Sequence, residues 1–211
     1  MPNNAKNFFD HIRKTLFNNR LNQKQVDGIN QILNISKDLN IFSRAYMLAT
    51  VYFETAKTMQ PISEIGKGKS YNYGRWKVNS KGEKYCYKMG IHNGIYFEKD
   101  NPNLFYGRGF VQLTWFNNYE KLTERLHKEG VLDKSKSLLT EPDLANNLEI
   151  ATHILKLGMT EGLFTGKKLS DYFNTHKCDY ANARKIINGN DHKHLIAGYA
   201  KEFQTALSLK A

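Results

Sequence analysis

The sequence predicts a mainly α-helical domain interrupted by one irregular stretch that holds a small β hairpin. Apolar residues recur at helical spacing in segments spread from Phe8 to Leu207. Between Gln60 and Tyr106 that spacing stops, and the composition shifts to Gly, Tyr, Lys and Asn. At 211 residues and 40% hydrophobic content the chain can bury a sizeable core as one domain, with room for two lobes around a cleft.

The first helix is expected over Asn7 to Asn18, with Phe8, Phe9, Ile12 and Leu16 on one side. Asn22 is the N-cap of a second, with Val26, Ile29, Ile32 and Leu33 at helical spacing. A third starts with Ser43 as its cap and runs to about Thr58. It is apolar nearly all round, which marks a buried helix. Glu54 is its one acidic residue. A carboxylate there is costly unless it is paired, protonated or at a cleft wall. Desolvation favours the protonated form, the state a proton donor needs. The competing reading is a structural salt bridge, for instance to Arg108 or Lys57.

The irregular stretch carries the hairpin signal: Trp76 to Val78, a Ser80-Lys81-Gly82 turn, then Lys84 to Tyr87. Beyond it lies the densest mixture in the chain, Tyr106-Gly107-Arg108-Gly109-Phe110-Val111-Gln112-Leu113-Thr114-Trp115-Phe116-Asn117-Asn118-Tyr119. Its glycines permit close approach of another chain or a ligand. Gln112, Thr114 and Asn118 supply donors and acceptors, and Tyr106, Trp115 and Tyr119 supply flat faces with polar edges. A sugar polymer, with apolar ring faces and a rim of hydroxyls, needs both. The plainer reading is a glycine-rich turn into a helix over Asn117 to Lys128.

Glu141-Pro142 opens a further helix that buries Leu144, Leu148, Ala151, Ile154 and Leu155 and ends at Gly158 and Gly162. Short helices follow at Leu169 to Phe173 and Asp179 to Ile187. The last spans about His194 to Leu209 with Ile196, Tyr199, Phe203 and Leu207 inward.

The formal charge of +11 attracts polyanions. The basic residues are scattered and form no nucleic-acid motif, which leaves contact with an anionic bacterial envelope or plain solubility. Cys86 and Cys178 make no disulfide framework and are expected as reduced thiols. No metal-ligand spacing is present. The N-terminal residues lack the pattern of a secretion signal, and no window is apolar enough for a membrane span. The expectation is a monomer made in a cytoplasm, without stable membrane insertion.

The run from Tyr106 to Tyr119 resembles the signature of glycoside hydrolase family 19, the chitinase and phage-lysozyme group: aromatic-Gly-Arg-Gly, two residues, Gln-Leu-Thr, an aromatic, then Asn-Tyr. Phe53-Glu54-Thr55-Ala56, followed by Met59-Gln60-Pro61, is similar to the family's His-Glu-Thr/Ser motif, with Phe53 in place of the histidine. Glu141-Pro142-Asp143-Leu144-Ala145 resembles its Asn-Pro-Asp-Leu helix start, and Ile186-Ile187-Asn188-Gly189 its late Ile-Ile-Asn-Gly. The flanks look like the phage-borne branch. The resemblance implies a two-lobed, lysozyme-like fold with the hairpin beside an active-site cleft. It implies framework at 1–42 and 190–211 around a catalytic core at 43–189, and no separate wall-binding module.

It also implies the chemistry of an endolysin that hydrolyses β-1,4 bonds between aminosugars of bacterial peptidoglycan by inversion, acting at the wall after release. Glu54 is then the general acid. Glu64, ten positions further on, or alternatively Glu83, is the base. Thr114 holds the attacking water. Gln60, Tyr106, Arg108, Gln112, Trp115, Asn118, Tyr119 and Asn188 line the sugar site, with Arg108 as a brace. Two carboxylates suffice for the reaction, so no cofactor is implied. The alternatives are a chitinase with the same residues, or a catalytically silent glycan-binding domain in view of Phe53.

Overall fold

The structure, a computed structural model, describes residues 5–68, 73, 76–78, 84–86 and 105–209. It is mainly helical, with three small antiparallel strand pairs among the described residues. The chain divides into two compact units, Met1–Gln60 with Thr152–Ala211, and Pro61–Ala151.

In the first unit α1 (Ala5–Thr15), α2 (Gln23–Ile35), α3 (Ile41–Glu54) and α6 (Lys193–Ser208) build the core, with α6 against both α1 and α3. Asn22 caps α2 as expected: its side chain accepts from the Gln25 amide, and Gln25 returns a bond to the Asn22 amide at 2.9 Å. α3 is buried from Ala45 to Tyr52. Its cap is Asn40, not Ser43; the Asn40 side chain accepts the Ser43 amide at 2.9 Å. The helix also stops four residues before the expected Thr58. The inward side of α6 is Ile196, Ala200 and Phe203 with Ala197 and Ala206.

In the second unit β1 (Ile62–Ser63) pairs with β4 (Arg108–Gly109), Ile62 opposite Gly109. β2 (Trp76–Val78) pairs with β3 (Lys84–Cys86), Trp76 opposite Cys86, so the expected hairpin is present. Its turn and Glu83 lie outside the described residues. α4 (Phe116–Lys128) follows the signature run.

The helix expected from Glu141 is two elements. A 3₁₀ segment, Pro142–Asn146, ends at an extended Asn147, and α5 runs over Leu148–Glu161. The Asn147 side chain accepts the amides of Glu149 and Ile150 and so starts α5 afresh. Gly162, at φ +73°, ends that helix, whereas Gly158 sits inside it. Short 3₁₀ segments at Leu169–Asp171 and Asn182–Ile186 replace two expected helices. Between them β5 (Phe173–Asn174) pairs with β6 (Lys177–Cys178), a pair too short to show in the sequence. No described helix is long and apolar enough to cross a membrane.

Candidate active site

Glu54 is the last residue of α3. Helix carbonyls there carry partial negative charge, so an acid at that end needs a cation. Arg184, from the 3₁₀ segment Asn182–Ile186, supplies it: one guanidinium N–H donates to Glu54 Oε1. The Arg184 side chain is 3% exposed and that of Glu54 14%. Arg184 Nε also donates to the Asp191 carbonyl at 3.0 Å, and its guanidinium lies 5.5 Å from the Phe53 ring centroid. Phe53 therefore serves as an aromatic floor for the arginine, with His192 on its ring at 5.0 Å. The salt bridge weighed from sequence exists, but with neither Arg108 nor Lys57.

After Glu54 the backbone turns left-handed at Ala56 (φ 48°), Lys57 (φ 70°) and Met59 (φ 53°), a costly path for residues with a Cβ. Thr55 holds it. Its buried hydroxyl donates to the Val51 carbonyl at 2.7 Å and accepts the Met59 amide at 3.1 Å. α2 closes over the turn at Gly28, where a Cβ would fall 1.8 Å from the Met59 carbonyl oxygen. Gln60 donates its side-chain amide to the carbonyls of Lys24 at 2.5 Å and Met59 at 3.1 Å, so that group serves the fold. Asn188 is exposed and accepts the Gly189 amide at 2.9 Å.

The second unit holds Glu64 by its signature run. The Gly107 amide donates to Glu64 Oε2 at 2.9 Å, and the Glu64 amide donates to the Gly107 carbonyl at 2.7 Å. On the other carboxylate oxygen, Oε1, the Tyr73 hydroxyl donates at 3.2 Å. Glu64 stays half-buried, not sealed.

The run itself is a tight loop: the amide and carbonyl of Arg108 bond those of Leu113 at 3.2 and 2.8 Å. Gly109 (φ +84°), Gln112 (φ 52°) and Trp115 (φ 73°) make it left-handed in three places. A Cβ at Gly109 would lie 2.8 Å from the Ala145 carbonyl oxygen, so that glycine is required. The 3₁₀ segment Pro142–Asn146 clamps the loop. Asp143 accepts from Arg108 Nε at 2.7 Å; Asn146 accepts the Gly109 amide at 3.1 Å and donates to the Ser63 hydroxyl at 2.9 Å.

Arg108 is 3% exposed and donates to the Tyr106 carbonyl and the Tyr119 hydroxyl. It is a brace. Tyr119, read from sequence as a face for sugar, is wholly buried; its hydroxyl donates to the Tyr106 carbonyl at 2.8 Å, so it has no surface to offer a ligand. Tyr106, at 8% exposure, stacks under the Arg108 guanidinium at 3.6 Å. Gln112 bends back to the Ile62 carbonyl at 3.1 Å. Asn118 donates to the Thr114 carbonyl at 3.0 Å. Thr114 is half-buried, and its hydroxyl makes no hydrogen bond among the described residues. Trp115, at 47% exposure, is the large aromatic that the run leaves open.

Sequence reasoning missed Arg184, Tyr73, Asp143 and Asn146 as partners. Arg184 carried a readable signal, since a cation two residues before the apolar pair Ile186-Ile187 has to find an acid if it is buried. Nothing in the sequence around Tyr73 sets it apart from the other tyrosines of that stretch.

Among the described residues no cluster of His, Cys, Asp or Glu could hold a metal ion. Cys178 is an exposed free thiol whose pKa partial desolvation raises, away from nucleophilic use. No family model matches the sequence, and no curated protein matches it. Solved structures do. Chitinase C from Streptomyces griseus superposes over 97% of this chain and 76% of its own, with a TM-score of 0.59 at 18% identity. A second bacterial family 19 chitinase covers 100% of this chain and 97% of its own, with a TM-score of 0.57 at 17% identity. The chain has the fold of the family 19 chitinases.

Proposed function

We propose that the protein is a glycoside hydrolase that cleaves β-1,4 bonds between aminosugars of bacterial peptidoglycan, as an endolysin does. One observation carries the reading: two carboxylates, Glu54 and Glu64, are each aimed by specific donors yet keep part of their surface open. In the substrate complex Glu54 acts in its protonated form and gives its proton to the leaving glycosidic oxygen, and Arg184 stabilises the carboxylate that remains. Glu64 takes a proton from the attacking water, and Thr114, whose hydroxyl can both accept and donate, holds that water. Inversion requires the two carboxyl groups about 6.5–9.5 Å apart when substrate is bound. The charge of +11 draws the protein to an anionic wall.

Chitin is the second reading, because both similar structures are named as chitinases. Mass spectrometry of purified peptidoglycan and of chitin oligomers after digestion separates the two, since the new reducing ends name the bond. Glu54→Gln should abolish cleavage with the circular dichroism spectrum unchanged. Wild-type protein that binds wall fragments but creates no reducing ends from either polymer would be a glycan-binding domain, and the enzymatic reading would fall.

A further inference from the structure

We infer that Tyr73 is a positioning residue that couples sugar contact at Trp115 to the orientation of Glu64; this rests on Glu64 being the base, as proposed above. Glu64 has a donor on each oxygen. The Gly107 amide on Oε2 belongs to the residue just before β4, whose carbonyl accepts the Glu64 amide at 2.7 Å, so backbone fixes it. The Tyr73 hydroxyl on Oε1 comes from a side chain. The Tyr73 ring meets the Trp115 ring edge-on, centroids 5.3 Å apart at 77°.

Trp115 is held in a left-handed conformation by its own amide, which donates to the Phe105 carbonyl at 3.1 Å, and by its carbonyl, which accepts the Asn118 and Tyr119 amides. The ring stays 47% exposed. Aromatic faces with polar edges bind sugar rings and pack against one another in preferred edge-to-face geometry. A ring that settles on Trp115 therefore fixes the surface on which Tyr73 rests, and Tyr73 fixes one oxygen of Glu64. The other oxygen is already taken by Gly107, so the carboxylate plane is defined only when both donors are in place. Substrate binding then locks an alignment that the two donors already set.

Tyr73→Phe tests this, because it keeps the ring on Trp115 and removes only the hydroxyl. Two readouts are taken on the full chain. The first is the carbon-13 resonance of the Glu64 carboxylate at one neutral pH, assigned by its disappearance in Glu64→Gln. It should move in Tyr73→Phe. The second is turnover on whichever polymer the wild type cuts. Here kcat should fall roughly tenfold, a fraction of what a placed base supplies, with KM within about twofold; Trp115→Ala should raise KM as well, since it removes the sugar contact.

A Glu64 resonance that stays put in an active enzyme overturns this inference and leaves the function standing. A rise in KM alone for Tyr73→Phe makes Tyr73 a sugar contact and also overturns it. Wild-type protein that cuts neither polymer overturns both readings.

Discussion

Replacing Arg184 by methionine tests the pairing on which the Glu54 site is built. The change keeps the apolar stem but deletes the guanidinium and its charge. The arginine is 3% exposed and Glu54 14%, so the carboxylate left behind has little water to replace the lost donor. Removing one partner of such a buried pair costs about 3–5 kcal/mol. The partial exposure of Glu54 argues for the lower end. The lost bond from Arg184 Nε to the Asp191 carbonyl adds about 1 kcal/mol. The net expectation is about 4 kcal/mol.

For a chain of this size about 4 kcal/mol corresponds to a Tm lower by roughly 8–16 °C. Glu54→Gln alone should cost less, because an amide is cheaper to leave near a guanidinium than a carboxylate is without one. The double variant should be more stable than the sum of the singles predicts, by about 2 kcal/mol, since neither charge is then stranded. Urea unfolding of the four proteins at constant salt measures this directly. Additive losses would show that the two side chains do not interact, and the account of Glu54 as a charge held at a helix end would be wrong.

Three further changes probe the framework. Gly28→Ala puts a methyl 1.8 Å from the Met59 carbonyl oxygen, which cannot rotate aside, so urea unfolding should show a loss of about 2–4 kcal/mol; a neutral result would mean that α2 does not close on that turn. Thr55→Val keeps the shape but strands the buried Met59 amide, for a loss of about 1–3 kcal/mol by the same measurement, and Thr55→Ser should recover most of it. Alkaline pH should also destabilise the fold. Burial pushes the Tyr52 phenol from its ordinary 10 up to about 12, and burial raises Tyr46, Tyr119 and Tyr180 in the same direction. A raised folded-state value means that the stability is whole below pH 10 and is lost as pH climbs towards about 12. Tyr52 alone accounts for about 3 kcal/mol of that loss, and urea midpoints across this window should fall accordingly.

Local rules made α1, α2, α4 and α6 legible. Each has an apolar stripe, and Asn22 gives one of them a cap signal. They failed where a side chain competes with the helix. Asn147 reads as an interior residue, yet its carboxamide takes the Glu149 and Ile150 amides and splits one expected helix in two. Ser43 reads as a cap, but the asparagine three residues earlier reaches its amide first. In the candidate site the sequence pointed to Glu54, Glu64 and the signature loop. It could not assign their partners: Arg184 is 130 positions from Glu54, and such pairings are set by tertiary packing. Tyr119 was misread because an aromatic in a polar run looks the same whether its face is open or packed.

The two carboxylates share one structural feature that explains why the motifs around them take the form they do. Each lies beside backbone that L-residues adopt reluctantly: Ala56, Lys57 and Met59 after Glu54, and Gln112 and Trp115 in the loop that donates to Glu64. Such conformations cost of order 1–3 kcal/mol each and persist only where surrounding groups fix them. Here the fixing groups are the small polar residues of the same motifs. The Thr55 hydroxyl closes the first turn, and Asn146 and Asp143 pin the second through Gly109 and Arg108. A glutamate on a regular helix or strand takes its direction from the element's repeat. Placed beside a strained turn, it takes its direction from side chains that can be tuned one at a time. That arrangement suits a carboxyl group whose aim matters more than its packing, and it accounts for threonine, asparagine and glycine at positions where helix propensity alone would favour alanine.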